Sequence, residues 1–318
     1  MTLTAVPGVQ VGHAQVQGGG SGCTAVLGPF RGAVEVRGMA TGTRELGVLS
    51  PYHLADRINA LLLTGGSAFG LAAADGVVGW LAQKGEGFET GVSPVPLVPS
   101  AVLFDLRPDV PTPGAEEGRR ACEMASAEPV QEGRVGAGAG ATVGKLLGSE
   151  KACPGGIGST SRSWGGATLG AMAVVNALGD VIGDDGGILA GVRGEDGQFL
   201  GTDALVVQGG SSHPGMPGTN TTIVVIATDL PLSRVELGRL AKMASAAFPR
   251  AISPVNTPFD GDMVFAVSTG ETGVAIPPQD LLAMGVVARE LTEEAIRRGV
   301  MVGRGGPEAP DPMGSPNS

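Results

Sequence analysis

The chain has 318 residues, with 31 acidic against 21 basic side chains and a formal net charge of −10. That balance excludes a phosphate-tracking nucleic-acid binder and a polybasic membrane binder, while leaving room for a local basic site. Glycine (55) and proline (23) are abundant enough to border on low complexity. However, 42% hydrophobic residues and recurrent Val/Ile/Leu/Ala runs indicate a globular protein rich in turns and close backbone contacts.

A chain of this length buries about three-quarters of its unfolded surface and needs no metal or disulfide staple. The three cysteines, Cys23, Cys122 and Cys153, are odd in number and lack ligand spacing, so neither a disulfide framework nor a metal centre is expected. The start, Met1 to Gly8, carries no charged leader, and no apolar run reaches membrane length. A cytoplasmic protein is expected.

The first forty residues alternate β-prone runs with glycines: Val9–Val11, Cys23–Leu27 and Ala33–Val36, read as short strands separated by turns. Ala60–Thr64 reads as a buried strand, and after Gly65–Gly70 the apolar spacing of Leu71, Ala74, Val77, Val78 and Leu81 predicts a helix to Lys84. Residues 94–104 hold three prolines and suggest an extended edge segment entering a short strand. Gly114 to Ser126 gives a second helix, with Glu116–Glu117 before Arg119–Arg120 in the order that suits the helix dipole. Gly133 to Gly148 is a glycine-alanine loop carrying Lys145, and Thr168–Leu178 is strand-like.

Gly209 to Asn220 has few apolar side chains and is expected to be exposed or mobile; it runs into the apolar strand Thr221–Thr228. Helical patterns follow over Ser233–Ala247 and Pro278–Gly299, with a strand near Met263–Ser268 between them, and 304–318 reads as a disordered tail. Many strands and several long helices without strict βαβ alternation imply a layered α+β fold.

The run Gly136 to Lys145 resembles a phosphate loop, but Ala139 stands where the first glycine belongs and Leu146 where Ser or Thr must meet Mg²⁺, so nucleotide binding is rejected. It also satisfies the looser dinucleotide pattern, without a convincing strand before it. No cofactor is expected. His13, His53 and His213 lie far apart with no metal spacing, and no Gly-x-Ser-x-Gly elbow is present.

The junction Asn220-Thr221 is more informative, because a glycine-rich segment ends at a Thr that opens a buried strand. Such a junction suits an N-terminal nucleophile: the hydroxyl attacks the preceding carbonyl, an N-to-O acyl shift gives an ester, and water frees a new amino terminus. That α-amine, with an ordinary pKa of about 8, then serves as base for its own hydroxyl. The competing reading is a threonine that only packs or hydrogen-bonds locally.

Five segments now carry a resemblance: Val6–His13, Leu61–Leu71, Gly144-Lys145, Asn220-Thr221-Thr222 and Phe259-Asp260-Gly261-Asp262. Together they resemble the L-aminopeptidase/D-esterase (DmpA) family, which includes β-peptidyl aminopeptidases and nylon-oligomer hydrolases, over nearly the whole chain to about Gly303. The resemblance implies a four-layer α-β-β-α sandwich, like N-terminal-nucleophile hydrolases and ornithine acetyltransferases. It implies one catalytic domain over 1–303 that cuts itself into 1–220 and 221–318, with the pieces remaining associated. A homo-oligomer is also expected from it.

Matched to the nylon-oligomer hydrolase branch, Thr221 corresponds to the nucleophile and Asn220 to the residue before the cut. Lys145 and Asn176 correspond to active-site residues, and Asp260 and Asp262 to a carboxylate pair. Asn176 would donate to the oxyanion, worth about 3–4 kcal/mol where such a donor has been removed. Lys145 would either stabilise the oxyanion or tune proton transfer. The aspartates would orient the Thr221 amine, side by side if they sit two apart on a strand. Some relatives use an active-site tyrosine; here the matching aromatic is Phe104, and the sole tyrosine is Tyr52. The expected activity is hydrolysis of small peptides or peptide-like amides through an acyl-enzyme. The alternatives are acyl transfer to an amine and an uncleaved ligand-binding protein.

Overall fold

In the computed structural model, residues 1–209, 220–271 and 276–302 are described. Of the stretch Gly209 to Asn220, expected to be exposed or mobile, residues 210–219 with His213 lie outside them, as does the tail expected over 304–318. Gly209 is exposed, but Asn220 is buried, because it already pairs with Asp260 beside the strand that follows.

Nine strands form the main sheet: β1 (Gln10–Gln15), β2 (Gly22–Val36), β3 (Gly42–Arg44), β4 (Ile58–Thr64), β5 (Ser100–Val102), β6 (Gly156–Trp164), β7 (Ala167–Asn176), β8 (Thr221–Thr228) and β9 (Met263–Ser268). The helices are α1 (Ala73–Gln83), α2 (Ala115–Glu123), α3 (Thr202–Val207), α4 (Arg234–Ala244), α5 (Phe248–Ala251) and α6 (Pro278–Met301). No helix among the described residues is long and apolar enough to cross a membrane.

The sheet forks at β2. Its first half pairs antiparallel with β1 and with β4 (Cys23↔Thr64), while its second half pairs antiparallel with β9 (Val36↔Met263). The register slips between Leu27 and Phe30, across Gly28-Pro29. Proline cannot donate to a ladder and is tolerated at such a bulge, where the strand bends. The two short strands expected within 22–36 are therefore one long strand, and the Gly-Pro pair marks a bend where a turn was expected. Beyond β2, one branch continues β4, β5, β3 and the other β9, β8, β7, β6.

Three buried clusters show how the branches stack. Val26, Ile58, Leu61 and Leu63 from the first branch meet Met172, Val174, Ile223, Val225 and Phe265 from the second. The opposite face of the first branch (Ala25, Leu27, Ala60, Leu62) packs on α1 and α2 through Val77, Leu81 and Ala121. The opposite face of the second (Ala171, Ala173, Val224, Ile226, Val264) packs on α4 and α6 through Leu237, Leu240, Met284, Leu291 and Ile296. The layers run helices, sheet, sheet, helices, which is the α-β-β-α sandwich. Alternate residues of β8 serve two cores, so the strand is buried along its whole length and apolar from Ile223 to Ala227, each large buried apolar side chain contributing about 1.5–3 kcal/mol.

Sequence and structure agree on the bounds of Thr221–Thr228 and Met263–Ser268. Ser233 is the N-cap of α4: its hydroxyl accepts from the Glu236 N–H, and the Glu236 carboxylate accepts from the Ser233 N–H at 2.8 Å. One further reading changes, and one strand was not expected. The proline-rich segment enters β5, which lies between β3 and β4 and so is interior, with β3 at the edge. Strand β6 has no apolar run to announce it; it is an edge strand, buried at Gly156–Thr160 and more open beyond.

Helices α1 and α2 cross at backbone contact. A Cβ on Gly76 would come within 1.8 Å of the Ala115 carbonyl oxygen, and one on Gly118 within 1.9 Å of that of Ala73. Gly79, three residues along α1, faces open space. Thermal unfolding should therefore separate two identical changes. Gly76→Ala is expected to destabilise by about 1–3 kcal/mol through overpacking, and Gly79→Ala to stabilise by about 0.5–1 kcal/mol through helix propensity.

Candidate active site

The site forms where β7, β8 and the approach to β9 meet. In the antiparallel β7–β8 ladder, Asn176 is the partner of Thr221, which holds the two Cα atoms about 4.5–5.5 Å apart. On the other side β8 runs parallel to β9, with Ile223 opposite Met263, and the pairing extends back to a bridge between Asn220 and Asp260. Counting along this register puts Asp262 beside Thr222, Gly261 beside Thr221 and Asp260 beside Asn220. The two carboxylates, two residues apart, leave the backbone on one side.

Lys145 reaches the same place from its loop. The loop is stitched to the chain just after β7, the Gly144 and Lys145 N–H groups donating to the Gly179 and Leu178 carbonyls at 3.1 Å each. Gly144 has φ +71°, and a Cβ there would lie 2.1 Å from the Val192 nitrogen, so both conformation and space call for glycine. The stitch delivers the Lys145 ammonium to Asn176, where Nζ donates to Oδ1 at 2.8 Å and to the backbone carbonyl at 3.1 Å. The Asn176 amide is fixed further: Oδ1 accepts from the Thr142 N–H at 3.1 Å, and Nδ2 donates to the Phe104 carbonyl at 3.1 Å.

Thr221 is buried, and its hydroxyl donates to the carbonyl oxygen of Asn220 at 2.5 Å. The carbonyl carbon lies one C=O bond, about 1.23 Å, beyond that oxygen. Oγ1 is therefore no more than about 3.7 Å from the carbon it would attack, close to the separation of a near-attack arrangement. Asp262 Oδ1 accepts from the Thr222 N–H at 2.6 Å, and Asp260 Oδ2 from the Thr257 N–H at 2.7 Å.

Burial governs the charges. It pulls the Lys145 ammonium down to about 7, against the opposing pull of Asp260, Asp105 and Asp262. Burial, followed by the charge of Asp260, pushes the Asp262 carboxyl up to about 7, and burial likewise raises Asp260. An amine, Lys145, and an acid, Asp262, thus exchange protons near neutrality, with Asp260 raised beside them; near neutrality a group can both take and return a proton.

All five residues expected at the site, with Asn220, are brought together. Three contributors were not anticipated. Asp105 is buried, its carboxyl raised mainly by that burial, and it accepts from the Gly66 N–H at 2.6 Å. Phe104 contributes its carbonyl to Asn176, and Gly261 sits between the acids. The apolar run Ala101–Phe104, which leads out of β5 into Asp105, is the one sequence signal that could have marked the first two.

The residues set aside stay apart. His13 Nδ1 pairs with the Thr24 hydroxyl at 2.9 Å in the β1–β2 ladder, and burial lowers it to about 4. His53 accepts from the Ala55 N–H at 3.1 Å. All three cysteines are buried, and desolvation pushes the Cys122 thiol up to about 12, away from the reactive thiolate. Among the described residues no group of three His, Cys, Asp or Glu side chains is placed to hold a metal.

The chain is 38% identical, over 335 aligned residues, to an uncharacterized aminopeptidase of Mycobacterium tuberculosis, covering 94% of this chain and 93% of that one. It is 33% identical over 305 residues to a 6-aminohexanoate-oligomer endohydrolase of Kocuria sp. (strain KY2), covering 91% and 83%. Among solved structures, the L-aminopeptidase D-Ala-esterase/amidase from Ochrobactrum anthropi superposes with a TM-score of 0.70 at 23% identity, over 95% of this chain and 86% of that one. A Burkholderia sp. beta-aminopeptidase does so with a TM-score of 0.68 at 24% identity, over 94% and 85%. At those identities the structures establish the fold, a variant of the N-terminal-nucleophile hydrolase architecture. The profile of peptidase family S58 matches residues 2–305, and the chain belongs to that family.

Proposed function

We propose that the protein is a self-processing hydrolase that uses Thr221 as an N-terminal nucleophile against small peptides or peptide-like amides. The observation that carries this reading is the Thr221 hydroxyl, 2.5 Å from the preceding carbonyl oxygen, on a strand whose register brings Asn176, with Lys145 bonded to it, and the Asp260–Asp262 segment alongside. The aminopeptidase and amide-oligomer hydrolase named among the relatives support amides as the substrate class.

Before the cut Thr221 has no free amine, so its proton needs another acceptor. Neutral Lys145, its pKa drawn to about 7, takes that role. Oγ1 bonds to the Asn220 carbon, the C–N bond breaks, and the proton carried by Lys145 passes to the departing nitrogen. Water then hydrolyses the ester, leaving a carboxylate on Asn220 and an α-amine on Thr221.

In turnover that amine, with an ordinary pKa of about 8, accepts the hydroxyl proton, and Asp260 and Asp262 orient it. Asn176 has a positioning part, since its Oδ1 and backbone carbonyl hold Lys145. The resemblance adds the oxyanion role. An acyl-threonine forms as the amide nitrogen leaves protonated, and water releases the acid.

Intact-mass analysis after incubation should show pieces corresponding to residues 1–220 and 221–318, with Thr at the new amino terminus. A chain that stays full length, or a cut elsewhere, removes the basis of the reading. Thr221→Ala should stay uncut and lose hydrolysis of amide substrates; maturation of that variant at Asn220 would mean another nucleophile.

The pH dependence has a definite sign. A lysine lowered from 10.5 to about 7 is protonated below that range and neutral above it. If neutral Lys145 is the base, the self-cleavage rate of an uncut chain refolded from denaturant should climb about tenfold per pH unit below 7 and level off above it. A rate that instead falls as pH rises through 7 would assign the work to the protonated ammonium.

A further inference from the structure

The carbonyl of Asn220 has a second donor, the backbone N–H of Gly261 at 2.8 Å. This contact follows from the register described above, which sets Gly261 beside Thr221 at the start of the parallel β8–β9 pairing. It is held from two sides. On one, the Asp260 carbonyl accepts from the Ala40 N–H, and the Asp262 carbonyl from the Arg37 and Gly38 N–H groups, each at 2.9 Å. On the other, Thr222 donates to the Asp262 side chain at 2.6 Å. Four hydrogen bonds thus fix the short segment 260–262 where its middle amide points at the Asn220 oxygen.

Space points the same way. A Cβ on Gly261 would stand 2.7 Å from Thr221 Oγ1 and 2.9 Å from the Ala40 carbonyl oxygen. The backbone at 261 does not need glycine for its φ, because it is not among the positive-φ positions. The residue type is required by the room beside the nucleophile, where the tetrahedral carbon must form.

We propose that the Gly261 N–H is the oxyanion donor of self-cleavage. When Thr221 Oγ1 bonds to the Asn220 carbon, the C=O electron pair moves onto oxygen, and that negative charge meets a fixed, buried N–H already at 2.8 Å. As the charge collapses back, the C–N bond breaks and the nitrogen takes the proton that the hydroxyl gave up. A donor placed in advance costs no reorganisation when the charge appears. The acids flanking Gly261 then bear on the nucleophile while the amide between them bears on the electrophile. This inference rests on the self-processing reading.

The test uses full chains made by cell-free translation, with cleavage followed by intact mass. Glycolic acid incorporated at position 261 turns the Asp260–Gly261 amide into an ester, deleting the N–H with little change in shape. Cleavage should slow about a hundred- to thousandfold, the usual cost of one lost oxyanion donor. The same exchange at Gly38 deletes a hydrogen bond to the same segment that does not reach the scissile carbonyl, and should have a far smaller effect.

An ester at 261 that cuts as fast as wild type overturns the proposal and leaves the self-processing reading standing, as does an equal loss from both esters. A wild-type chain that never cuts overturns both. If the ester at 261 does not fold, N-methylglycine at 261 takes its place: the donor is again lost, cleavage should slow at least about a hundredfold, and a wild-type rate overturns the proposal.

Discussion

The register of β8 between its two neighbours is the constraint on which the site depends. Asn176, Gly261 and the two aspartates meet Thr221 because β8 pairs with β7 and β9 at one offset. A slip of one residue would turn Thr221 to the other face and replace it with Asn220 or Thr222. Strands usually hold register by hiding an apolar face, but β8 is buried on both faces, and Ile223, Val224, Val225 and Ile226 would fit either way. Its polar ends supply the discrimination. At the start, Asn220 accepts from Gly261 and Thr222 donates to Asp262. At the finish, the Thr228 carbonyl accepts from the Thr269 N–H, and Asp229 accepts from the Thr168 N–H. The groups proposed for the chemistry also help to fix the strand that carries them.

Burial is the second theme. Asp260, Asp262 and Asn176 are all removed from water, and charged groups there are costly unless they share charge or hydrogen bonds. The structure meets that cost with backbone N–H donors and with Lys145, whose proton is loosened by the same desolvation. A lysine at its ordinary value would stay charged through neutrality and could not serve as a base there. The low dielectric that makes the cluster expensive is what moves its proton equilibria into a usable range.

What the sequence reveals depends on how local the cause is. Strands β8 and β9 are legible because an unbroken apolar run can only be a buried element. The helices are legible from periodicity, and the capping pair Ser233/Glu236 from its spacing. Strand β2 is not, because Gly28-Pro29 carries the composition of a turn while serving as a bend. Strand β6 is an edge strand with polar residues and little apolar signal.

At the site, the Asn220-Thr221 junction is readable from chemistry, whereas Lys145, Asn176, Asp260 and Asp262 came from family resemblance. Asp105 and Gly261 were missed, since their importance arises from contacts between segments far apart in the chain. The alternation Asp-Gly-Asp before an apolar strand was visible, and the register shows what the glycine is for.

The position of β8 and β9 within the sheet has a topological consequence. Both lie in its interior, flanked by β2 on one side and β7 on the other, and those flanking strands precede residue 220. If the chain is cut before Thr221 as proposed, the shorter polypeptide would be stapled by two backbone ladders into the middle of the longer one, with α4 and α6 sealing one side. Dilution could not separate them without opening both cores that meet at β8, so the two-chain state would be as durable as the native protein itself.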